Sequence, residues 1–157
     1  MRSSSIHEIK QELSTLKAGE ATALCLRLAR FKKENKELLS YLLFEAQDEQ
    51  KYLKNIKQEI KELFDEINLS HLYFAKKTLR KILRVINKHS RYSGNKQTDM
   101  ELRIFFCQQL KISGIPFRQN AVLSNIFDGQ LKKIDAALAA LHEDLQHDYR
   151  KEIAALR

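Results

Sequence analysis

At 157 residues the chain has the size of one ordinary domain, long enough to bury a core, with 43% apolar and 31% charged residues and a net charge of +8. Four glycines and one proline are too few for the tight turns of a β-rich fold of this length, while helix formers fill most positions, so the expected class is all-α. The only cysteines, Cys25 and Cys107, sit far apart in apolar surroundings and read as two buried, reduced thiols rather than a disulfide or a metal framework. The residues from Met1 to Glu8 lack the apolar run of a secretory signal, and the strongest apolar stretch, Leu42-Leu43-Phe44, is far too short to span a bilayer. The expectation is a cytoplasmic protein with no integral membrane segment.

Ser5-Ile6-His7-Glu8 has the form of a capping box, opening a short amphipathic helix through Ile9, Leu13 and Leu16 that Gly19 punctuates. A second helix is expected over Glu20–Phe31. The lysine-rich stretch Lys32–Lys36 then breaks the helix or forms its exposed turn. From Glu37 to Ile67 there is neither Gly nor Pro, and Leu39, Leu42, Ala46, Leu53, Ile56, Ile60, Leu63 and Ile67 keep three–four spacing, with Glu49 the one polar member. A straight helix over that span would be roughly 46 Å long, near the upper range for a globular domain; the seam fits a coiled coil or an antiparallel bundle, of which the bundle is preferred. Ser70 is the expected N-cap of the next helix, which runs to about Tyr92 and the loop Ser93-Gly94-Asn95-Lys96.

Thr98-Asp99-Met100-Glu101 reads as a second capping box, for a helix to Leu110 with Leu102, Phe105 and Phe106 inward. Ser113-Gly114-Ile115-Pro116 stops it, because Pro116 lacks an amide hydrogen and biases Ile115 towards extended geometry. The remainder, 118–157, is expected as one long helix or two joined near Gly129, with a seam of Phe127, Leu131, Ile134, Leu138, Leu141 and Leu145. Strict continuation would bring Asp148 and Glu152 inward, so the stripe must shift to Tyr149, Ile153 and Leu156. Together these elements describe a single domain, 1–157. It is an antiparallel helical bundle or short α-superhelical stack of about five to seven helices, whose long C-terminal helix faces a partner at its end.

Charge is the most informative feature. Residues 68–98 contain eight basic residues and no acidic one, whereas 1–67 holds 12 of each sign and 99–157 holds 8 of each. The whole excess lies in one helix and the loop after it. Leu72, Ala75, Leu79, Ile82, Leu83 and Ile86 fall on one face; Lys77, Lys81, Arg84, Lys88 and Arg91 fall opposite, with Lys76 and Arg80 on the flank. Cations three and four apart on a helix repel by about 0.2–0.5 kcal/mol per pair, and no carboxylate on this helix relieves them.

Three explanations fit. The lysines are merely solvated, or Glu59, Glu62, Asp65 and Glu66 of a neighbouring helix neutralise them. Alternatively the stripe follows a phosphate backbone, with His89, Ser90, Tyr92 and Asn95 adding hydrogen bonds or a stacking ring. In the third, it meets an acidic protein or an anionic membrane surface, of which the protein is preferred.

Catalytic patterns are thin. His142 and His147 are five apart, about 140° around a helix, and so do not share a metal on one face. Glu45, Asp48 and Glu49 cluster on the early helix, and Glu49, on its inward seam, is the first acidic residue to examine. No nucleophile pattern surrounds His7, His71 or His89, and no P-loop precedes Lys96. No metal and no cofactor is implied. The expected function is a non-catalytic binding or scaffold protein presenting Lys77, Arg80, Lys81, Arg84, Lys88, Arg91 and Lys96 to an anionic partner, nucleic acid or acidic protein. The alternatives are a homo-oligomer built through the C-terminal helix and, third, an enzyme with a site of Glu45, Glu49 and a spatially near His.

Overall fold

The computed structural model describes residues 2–157, which are all-helical and contain no strand. Eight α-helices occur among the described residues: α1 (Ile6–Thr15), α2 (Ala18–Phe31), α3 (Lys33–Ser40), α4 (Glu49–Asp65), α5 (Leu72–Ser93), α6 (Lys96–Ile112), α7 (Ala121–Ala139) and α8 (Glu143–Ala154). The chain divides into two compact units, Met1–Phe44 and Glu45–Arg157. No helix is long and apolar enough to cross a membrane, among the described residues.

The N-terminal unit contains α1–α3. Its first capping box forms as the sequence predicts: the Ser5 amide donates to Glu8 Oε2 at 2.6 Å and the Glu8 amide to Ser5 Oγ at 3.3 Å. The break after α1 falls at Leu16-Lys17 rather than at Gly19, which lies inside α2, because the Lys17 amide finds the Glu20 carboxylate at 2.9 Å and starts the new helix there. Lys32 alone is extended, and α3 begins at Lys33. The Asn35 side-chain amide donates to Leu28 O at 2.9 Å, holding the end of α2 against the start of α3. None of the three helices contains a buried residue. Leu28, Phe31, Leu42, Leu43 and Phe44 are all more than half exposed. Cys25 is exposed as well, contrary to the expectation of two buried thiols, because the apolar face of α2 on which it stands is uncovered.

The span Glu37–Ile67, whose periodicity left one helix or two open, is not one α-helix. A π-helical turn, Tyr41–Glu45, follows α3, and the helix restarts at α4 with Asp48 as its cap, its carboxylate accepting from the Lys51 amide at 3.0 Å. A carboxylate that can hold a free amide competes with helix continuation, even where no Gly or Pro marks the spot.

The second unit is a bundle of α4–α8 built around α6. Met100, Leu102, Ile104, Phe106, Cys107 and Leu110 of α6 are buried, together with Thr98 and Arg103, so that most of the helix surface is covered. Tyr52, Leu53, Ile56, Ile60, Leu63 and Phe64 of α4 and Ala75, Leu79, Ile82 and Ile86 of α5 supply facing stripes. Leu123, Phe127 and Ile134 do the same from α7. Helix α5 ends at Gly94, whose φ of 65° is the left-handed conformation that suits glycine. Asn95 then caps α6 at once, so Thr98-Asp99-Met100-Glu101 is not a capping box but lies within the helix. Likewise His71, not Ser70, holds the N-cap of α5, because Ser70 is taken up by Asn68 in a local turn. Gly114, at φ 75°, ends α6 as expected.

The C-terminal segment is two helices, parted at Ala140–His142 rather than at Gly129, which stays inside α7. The break performs the predicted stripe shift: Ile153 and Leu156 are buried, and Tyr149 is half-buried with its hydroxyl on Glu101. Gln97 reaches Tyr149, Gln108 reaches Glu152 and Lys111 reaches the Ala155 carbonyl, so α8 lies along α6 in the same direction. Phe106, fully buried in α6 and in ring contact with Phe64, is a sensitive probe of this core. Replacement of Phe106 by Ala is expected to cost about 3–5 kcal/mol, read as a lowered urea midpoint with an unchanged denaturant slope.

Candidate anion-binding site

Helix α5 carries its cations outward as its sequence periodicity predicts. Lys77, Arg80, Lys81, Arg84, Arg91 and Lys96 are exposed, and Lys76 and Lys88 are half-buried. Among the described residues Glu62, Asp65 and Glu66 form no ion pair with this face, and Glu59 lies towards its His89–Lys88 end. Glu59 stands 3.6 Å from His89 Nε2, and Glu62 accepts from Gln58 at 3.0 Å. Among the described residues no ion pair is formed by Lys76, Lys77, Arg80, Lys81, Arg84, Arg91 or Lys96. Lys88 is engaged by a neighbour and is not part of the free set.

The free cations border two cavities. A groove of about 560 Å³ is lined by Tyr73, Lys76, Lys77, Arg80, Leu83, Arg84 and Asn87. A second cavity, of about 420 Å³, takes Asn87 as well and continues to Arg91, Asn95, Lys96 and, from α7, Lys133. Lys81 and Lys88 border neither. Tyr73 is 71% exposed at the head of the groove, in edge contact with Phe74. Of the helper residues named from sequence, Ser90 and Asn95 border the second cavity. His89 and Tyr92 instead turn into the bundle: Tyr92 is buried, and His89 Nδ1 bonds with the Tyr52 hydroxyl at 2.7 Å.

Beneath the second cavity lies a polar network that sequence reading missed. Arg103, only 6% exposed, meets both oxygens of Asp99 at 2.7 and 3.0 Å. Two of its three remaining N–H groups go to Gln130 Oε1 at 2.7 Å and Asn87 Oδ1 at 3.0 Å. Burial pushes the Asp99 carboxyl up, but the bonds and charge of Arg103 outweigh it and hold the group below its ordinary value. The local signal was the Asp99–Arg103 spacing of four; nothing local pointed to Asn87, Gln130 or Lys133.

Of the carboxylates considered for catalysis, Asp48 caps α4 and Glu49 is held by side-chain bonds. Glu49 accepts from Thr98 at 2.6 Å and from Ser93, tying the start of α4 to the α5–α6 corner. His142 caps α8, pairing with Asp144 on the exposed surface at 3.3 Å. Among the described residues no three His, Cys, Asp or Glu side chains gather in a way that could hold a metal ion. Cys107 is buried, which pushes its thiol up to about 12. No protein-family model, curated protein or solved structure matches the chain, so function rests on the geometry of the site.

Two stability effects separate framework from surface here. Arg103→Met leaves the half-buried Asp99 without its guanidinium partner and is expected to cost about 3 kcal/mol, the low end for a buried pair. Arg84→Gln, on the open face, is expected to stay within about 0.5 kcal/mol of the parent in the same urea titration. The Glu101–Tyr149 bond sets a pH window. Burial raises Glu101, but Tyr149 and Lys57 outweigh it and leave its pKa below 4.5. Tyr149 is raised to about 12 by burial and by Glu101. The stability this bond supplies is therefore complete between the ordinary carboxyl and phenol values. It is lost as pH falls through the lowered Glu101 value and as pH rises from 10 towards 12. Glu101→Gln should flatten the acid limb of a stability–pH profile measured by chemical denaturation.

Proposed function

We propose that the protein is a non-catalytic binding protein that takes a single-stranded nucleic acid along the groove of α5. The observation that carries this is a row of cations without carboxylate partners, lining a groove headed by an exposed tyrosine ring. Cations that repel one another on a helix are relieved when a polyanion lies across them and releases its own counterions. Lys76, Lys77, Arg80 and Arg84 recur within successive helical turns of about 5.4 Å, giving the regular charge spacing that a phosphate backbone uses. Tyr73 supplies the second ingredient of single-strand binding, a face on which an unpaired base stacks. An acidic protein would satisfy the charges but has no particular use for the exposed ring.

The C-terminal seam offered for self-association is largely spent inside the second unit. Phe127 and Ile134 are buried there, and Leu131, Leu138, Leu141 and Leu145 half-buried. That favours the groove as the interaction surface.

Fluorescence anisotropy with a labelled oligonucleotide tests the reading. Binding is expected to weaken with salt. Replacing Lys77, Arg80 and Arg84 together by Gln should reduce the slope of log K against log salt by about 2, from roughly 0.7 per phosphate contact on a single strand. Tyr73→Ala should cost about 1–3 kcal/mol and leave that slope unchanged. Absence of binding at low salt, or an unaltered slope in the triple variant, would refute it.

A further inference from the structure

The two cavities along α5 differ in construction. The groove is a row of charges along one helix, whereas the second cavity collects cations from three: Arg91 of α5, Lys96 at the start of α6 and Lys133 of α7. None of the three forms an ion pair among the described residues, and the one carboxylate set among them, Asp99, feels Lys133 but is bonded to Arg103.

The chemistry of the lining is one-sided. Asp99 is its carboxylate, and both oxygens are taken by Arg103. The Asn87 carbonyl oxygen accepts from Arg103, and the Asn95 carbonyl oxygen accepts from the Gln97 amide at 2.9 Å. These two bonds fix which end of each amide is engaged and leave the two NH2 groups as donors. The buried Ser90 hydroxyl borders the same cavity on the side of the Asp99 carboxylate, which it helps to hold ionised. Every side-chain carboxylate and carbonyl in the lining is thus occupied from within, while cations and N–H donors stand ready. A ligand that only accepts, and carries more than one negative charge, complements such a lining; an amine is repelled, and a neutral hydroxyl compound leaves the charges unmatched.

A phosphate monoester meets both conditions, with about −1.5 to −2 charges at neutral pH and three acceptor oxygens. A diester within a strand carries a single charge and two free oxygens. Asn87 borders both cavities, so a chain lying in the groove leads directly to the second one. We infer that this cavity is the seat of a terminal phosphate, 5′ or 3′, of the strand that lies along α5. The inference rests on the reading of the groove given above and adds to it an end preference: the protein recognises phosphorylated strand ends rather than strand interiors alone.

The test uses the full chain and three forms of one short single-stranded DNA, bearing a 5′-phosphate, a 3′-phosphate or hydroxyls at both ends. One phosphorylated form is expected to bind at least tenfold more tightly than the hydroxyl-ended form. Lys133→Gln should cut that advantage at least threefold while leaving the hydroxyl-ended affinity within about twofold, since Lys133 stands on α7 and does not border the groove. Its side chain is exposed, and an unchanged thermal melt confirms that the variant is folded. Inorganic phosphate at millimolar concentration should compete away the advantage and no more. Equal affinities for all three forms, or an advantage undiminished by Lys133→Gln, overturns the end preference while the groove stands. Binding of inorganic phosphate without any end preference assigns the cavity to the free ion and likewise overturns it. Failure of every oligonucleotide to bind removes the groove reading together with this one.

Discussion

A guanidinium held inside a helical bundle has to be satisfied on all sides, and Arg103 shows how this fold meets that demand. Taking a charge out of water costs several kcal/mol, which is recovered only when a counter-charge and enough acceptors surround it. Asp99 provides the counter-charge one turn away on α6, and Gln130 of α7 and Asn87 of α5 provide the acceptors. Because Arg103 stands on the covered part of α6, its guanidinium is kept from solvent. The three helices must therefore keep the register that these bonds require. The α5 groove inherits its position from that register, since the Asn87 that completes the arginine's shell also stands at the junction of the two cavities.

What local pattern dictates was legible in the sequence. Helix α5 has one apolar stripe and an opposite row of cations, and it folds with Ala75, Leu79, Ile82 and Ile86 inward. The shift of stripe in the last segment was likewise visible, because Asp148 and Glu152 could not follow the seam inward. The break that performs the shift, at Ala140–His142, was not, since alanine-rich sequence carries no stop signal. Whether Glu37–Ile67 is one helix or two was open for the complementary reason. Its periodicity is uninterrupted, and the division comes from a π-helical turn and from Asp48, which takes a backbone amide. Thr98 and Glu101 had capping-box spacing, but tertiary partners claimed both: Glu49 for one, Lys57 and Tyr149 for the other.

The candidate site divides in the same way. Lys77, Arg80, Arg84, Arg91 and Lys96 could be listed from charge counting alone, because the excess is confined to one segment. Whether those charges were neutralised depended on where Glu59 and its neighbours fell, a matter of helix rotation that no sequence window contains. Lys133 belongs to a charge-balanced region, and Tyr73 looks like any half-polar aromatic at a helix start. Their place beside the cavities exists only in three dimensions.

The two cysteines, taken as equivalent from sequence, are opposites in the fold. Cys107 is sealed in the core with its thiol held protonated, whereas Cys25 opens onto an apolar furrow of the N-terminal unit beside Leu28, Leu38, Leu39 and Leu42. The molecule therefore comes with a single native attachment point for a thiol-reactive, polarity-sensitive dye. Emission from that position would report directly whether the uncovered hydrophobic surface of α2 and α3 becomes dry, and at what concentration of which companion, without disturbing the bundle.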